Sequence, residues 1–94
     1  MSVQRTPQRV EAEIELRVPR GAMGDLEQGV DDVLSKVDAV GRVESREVRN
    51  VRPTSFDIHV TVVAALEVRA ERGDVREALL EGFGIERLEG VEYG

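Results

Sequence analysis

Two runs of strict apolar alternation and two glycine-aspartate helix starts predict an α+β domain built on an antiparallel sheet. The first run places Val10, Ala12, Ile14, Leu16 and Val18 on one side and Glu11, Glu13, Glu15 and Arg17 on the other. A period of two is the signature of a strand with one buried face. The second run, Phe56, Ile58, Val60, Val62, Ala64, Leu66 and Val68, is longer, and its other parity (Asp57, His59, Thr61, Val63, Ala65, Glu67, Arg69) is half apolar. Such a strand belongs at the centre of a sheet or against a contact face. Gly24-Asp25 and Gly73-Asp74 each open a stretch of helical spacing.

Taken in order, the first strand covers Val10 to Val18 and is broken by Pro19-Arg20-Gly21. Asp25 is an N-cap candidate, because its carboxylate accepts from free amides of the first turn. Leu26, Val30, Val33, Leu34 and Val37 then form one apolar stripe, so the first helix is expected at about 25–38. After Gly41, the residues Arg42 to Val51 read as a strand whose apolar positions, Val43 and Val48, are an odd number apart. That mismatch implies a bulge near Ser45-Arg46. The long third strand starts at Phe56. Asp74 and Glu77 stand in capping-box-like positions before a second helix that turns Val75, Ala78 and Leu79 inward and stops at Gly82. Arg87 to Tyr93 reads as the last strand.

The two halves share punctuation: Gly24-Asp25-Leu26-Glu27 against Gly73-Asp74-Val75-Arg76, and Arg42-Val43-Glu44 against Arg87-Leu88-Glu89. The offset is 50 at the first strands, 49 at the caps and 45 at the last strands, so the second helix is four residues shorter. That is close to one turn of 3.6 residues, and it leaves the inward face in phase. Two β-α-β units in series predict the ferredoxin-like plan β-α-β-β-α-β, a four-stranded antiparallel sheet with two helices on one face.

At 94 residues without cysteine the chain is expected to form a single domain over 1–94, with residues 1–8 as a disordered N-terminal arm. The longest apolar stretch, Val60 to Leu66, is far short of the roughly 20 residues a spanning helix needs. The first residues carry no apolar signal segment, so a cytoplasmic location is expected. Twelve arginines and one lysine stand against thirteen glutamates and six aspartates, for a net charge of −6. This acidic, aromatic-poor composition suits a halophilic cytoplasm, and it disfavours nucleic acid and anionic membranes as partners.

Four groups of residues are candidates for function. Arg20, Gly21 and Gly24 lie in the turn before the first helix, where backbone amides suit a small anion or carboxylate. His59, the only histidine, shares a face with Asp57 and is expected near Glu13 or Glu15, a carboxylate-rich set that would serve a metal-dependent or histidine-dependent enzyme. No ligand-spacing motif accompanies it, and neither a catalytic group nor a cofactor is assigned. Thr61, Val63 and Ala65 form an apolar centre on the sheet face away from the helices, which favours closure by a second copy of the chain. The cluster Arg42, Arg46, Arg49 and Arg52 is interleaved with Glu44 and Glu47 and reads as a charged edge strand.

Two resemblances accompany these residues. Val18-Pro19-Arg20-Gly21-Ala22-Met23-Gly24-Asp25-Leu26 resembles the ligand loop of ACT domains, which implies amino-acid binding at a dimer interface. The helix followed by Glu47-Val48 and the long Phe56 to Val68 strand resembles the dodecins, which implies a small oligomeric flavin binder. The function expected is a non-enzymatic oligomeric module that binds or regulates, with a small-molecule ligand.

Overall fold

The computed structural model describes residues 7–20 and 25–94, and its elements follow the order strand, helix, strand, strand, helix, strand. Strand β1 spans Gln8–Pro19, helix α1 Leu26–Ser35, β2 Val40–Pro53, β3 Asp57–Val68, helix α2 Val75–Leu80 and β4 Ile85–Tyr93. A short 3₁₀ turn, Arg72–Asp74, leads into α2. The four strands form one sheet in the order β2-β3-β1-β4, with every neighbouring pair antiparallel.

Alternation decides which side of the sheet is buried. Val10, Ile14, Leu16, Val60, Val62, Leu66 and Val68 are all at most 1% exposed. They join Val30 and Leu34 of α1 and Val75 and Leu79 of α2 in a single core cluster. The opposite parity of β1 and β3 faces away from that core, and the two strands pair without a shift from Gln8↔Val68 to Pro19↔Asp57. This unbroken register fixes every side chain of the two central strands to one face or the other.

The helices follow from local signals, with one exception. Asp25 caps α1 by accepting from the Gln28 amide at 2.8 Å. Asp74 makes no side-chain cap bond: its backbone, at φ −105° and ψ −7°, is already helical after the 3₁₀ turn, whereas Asp25 has the extended backbone of a capping residue. Val75 and Leu79 are buried, while Ala78 packs only partly against the core. At six residues against ten, α2 is shorter than α1 by the four residues that the halves of the sequence differ by.

Three further details depart from the sequence reading. Phe56 does not join the inward parity of β3. It is 85% exposed in a turn that Thr54 closes, its hydroxyl donating to the Asp57 carbonyl and accepting from the Asp57 amide. On β2 the register shifts between Val43 and Ser45 and again between Val48 and Asn50, so Glu44 is the extra residue of the expected bulge and a second bulge follows. The first bulge keeps Val43 and Val48 together on the core side. The strand reading of the N-terminus also extends: β1 begins at Gln8, inside the span expected as an arm, and residues 1–6 lie outside the described residues. No helix among the described residues is long and apolar enough to cross a membrane.

Candidate functional site

The face turned away from the core is assembled row by row from the registers. One row runs Ser45, Ala65, Glu11, Glu92; the next Glu47, Val63, Glu13, Glu89; the third Asn50, Thr61, Glu15, Arg87. Thr61, Val63 and Ala65 therefore do lie side by side on this open face. Ala65 is 3% exposed, and Thr61 and Val63 are half-buried. In its row Ala65 lies between Glu11 of β1 and Ser45 of β2, and Val63 between Glu13 and Glu47. The result is a shallow apolar strip walled by carboxylates.

Charge is distributed unevenly across this face. On β1 and β4 it carries Glu11, Glu13, Glu15, Glu89 and Glu92, with Glu11 directly opposite Glu92 and Glu13 opposite Glu89. Like charges in facing positions destabilise a strand pair. Arg87 relieves part of this, 2.9 Å from Glu89 and 3.8 Å from Glu15. On β2 the same face carries Arg42 and Arg52, opposite Glu67 and His59, and Arg49, which shares a hollow with Glu11, Glu13, Val63 and Glu92. Arg9 reaches across from β1 to Glu44 at 3.0 Å.

His59 sits near one end of the face, opposite Arg17 on β1 and Arg52 on β2. Its Nδ1 is 2.7 Å from Glu86 Oε1, so its carboxylate partner comes from β4; Glu15 lines the same hollow as His59, but among the described residues neither it nor Asp57 or Glu13 makes a hydrogen bond or ion pair with the imidazole. The sequence gives no signal for Glu86 because its placement depends on the register shift between Glu15 and Leu16 on the β1–β4 pair. Among the described residues no group of three or more His, Cys, Asp or Glu side chains is arranged to hold a metal ion.

The turn before α1 is described only in part, since Gly21 and Gly24 lie outside the described residues. Arg20 uses its backbone amide on the Phe56 carbonyl at 3.4 Å and its guanidinium on the Thr54 carbonyl. Its side chain thus ties β1 to the β2–β3 turn. Compared with protein-family models, with curated proteins and with solved structures, the chain matches none.

Proposed function

We propose that the chain is a ferredoxin-like module, with both helices on one side of its sheet, that works as a homodimer closed through the open sheet face and serves a binding or regulatory role. The observation that carries this reading is the apolar strip of Thr61, Val63 and Ala65 at the centre of a charged face. A 12-residue strand extends roughly 40 Å and four strands span roughly 19 Å, so the face offers on the order of 750 Å². That is close to the roughly 800 Å² per partner of a standard interface.

The charge pattern supports one symmetry over another. A two-fold axis parallel to the strands lays β2 of one copy over β4 of the other. Glu92 of the second copy then comes level with Ser45, one row from Arg42, and Glu89 comes level with Glu47 beside Arg49, and the two β3–β1 centres meet. An axis perpendicular to the strands would stack β4 on β4 and double the repulsion between Glu89 and Glu92. Because the whole chain carries −6, the two copies still repel at long range, and salt screens that repulsion while leaving the apolar contact.

Light scattering at low and high KCl tests the reading. A dimer that tightens with salt is expected, and a Val63→Glu variant, placing a third carboxylate between Glu13 and Glu47, is expected to remain monomeric. A monomer at every salt concentration would remove the support.

A further inference from the structure

The chain holds two phenylalanines, and both stand 85% exposed in a protein whose other large apolar side chains are mostly buried. Phe83 lines a cavity of about 410 Å³ between α1, the last residues of β1 and the turn from α2 to β4. Its walls are apolar, formed by Val18, Val33 and Phe83.

The cavity exists because of how the elements end. Helix α2 stops at Leu80, and β4 starts opposite Leu16, so on that side β1 runs on to Pro19 without a strand beside it. The last tie is the Arg17 amide to the Gly84 carbonyl at 2.8 Å. Pro19, on the same edge, has no amide hydrogen to leave unpaired. Two glycines shape the walls. At Gly29 an added Cβ would lie 2.6 Å from Val18 Cγ1, so only glycine lets α1 come this close to β1. Gly84 has φ +88°, and a Cβ there would press on Val33 Cγ1 at 3.2 Å, into the cavity wall.

Four charged residues ring the opening: Arg17, Lys36, Asp32 and Asp57. None is in an ion pair among the described residues. Two positive and two negative groups cancel, so the opening carries no net charge to favour an ion of either sign. We propose that this cavity binds a small uncharged aromatic molecule, which packs against the Phe83 ring beside the Arg17 guanidinium that lies over it, 6.0 Å from the ring centroid. The volume lies within the roughly 300–1,000 Å³ of small-molecule sites, and an aromatic ring at the opening gains from an offset or edge-to-face partner. The site is at the end of β1 and does not depend on association through the open face.

Indole, titrated into the full ¹⁵N-labelled chain, is the probe. The expected result is saturable shifts of the Val18, Gly29, Val33 and Gly84 amides, weakened about fivefold by Phe83→Ala. Phe83 is exposed, so that variant keeps the fold. Phenylacetate and phenethylamine, one charge each, are expected to bind more weakly than indole. The monomeric Val63→Glu variant is expected to bind indole unchanged, which separates this site from the dimer. No saturable shift at these amides, equal binding by Phe83→Ala, or equal binding of either charged analogue would overturn the proposal.

Discussion

Gly29 reverses the usual rule for a glycine inside a helix. Alanine is normally favoured there by about 1 kcal/mol, because it loses less backbone freedom on folding. Here the methyl group would strike Val18 Cγ1 at 2.6 Å, on a residue held in register by Ile58 of β3. Gly29→Ala is therefore expected to lower stability by about 1–3 kcal/mol in urea unfolding, the range for an overpacked core. Gly73→Ala has nothing within 4 Å of the new Cβ and is expected to change stability by less than about 0.5 kcal/mol. Equal effects at the two positions would contradict this account of how α1 seats on β1. His59 is the opposite case, since its contact with Glu86 is partly solvated. Its replacement by alanine is expected to cost less than about 1 kcal/mol in the same assay.

Between elements, Arg46 joins β2 to α1. It faces the core side opposite Ala64, where alternation would favour an apolar residue, and its Nε is 2.8 Å from Asp31 Oδ1, with Glu27 Oε2 at 3.7 Å from Nη2. Asp31 Oδ1 is buried and makes no well-directed hydrogen bond, so the attraction to Arg46 is one of charge more than of geometry. A double-mutant cycle of Arg46→Gln and Asp31→Asn is expected to give a coupling of about 0.5–1 kcal/mol that shrinks in high salt. Zero coupling would reduce Arg46 to a solvated charge. The strands illustrate what could be read beforehand. β1 and β3 were legible because each has one face buried throughout, and the bulge in β2 was legible because Val43 and Val48 had to share a side. Phe56 misled because parity continues through a residue that the Thr54–Asp57 turn removes from the strand. The partner of His59 was illegible for a different reason: Glu86 reaches it across β1, through a shifted register that side-chain pattern does not encode.

For the molecule as a whole, charge is the dominant theme. Nineteen carboxylates against thirteen basic residues leave −6, and two facing glutamate pairs sit on the open side of the sheet. Repulsion among exposed charges falls as salt shortens the Debye length from about 10 Å at 0.1 M to about 3 Å at 1 M. The melting temperature of the monomeric Val63→Glu variant is therefore expected to rise with KCl, and a flat or falling curve would contradict the reading of this surface as self-repelling. The central claim is that the same face closes against a second copy. An isotope-filtered NOE experiment on a mixture of ¹³C-labelled and unlabelled chains at high KCl tests it directly. The account predicts intermolecular signals from the Val63 methyls and the Ala65 methyl. A dimer with intermolecular signals only from Phe56 or Phe83, or a sample with none at all, would contradict it.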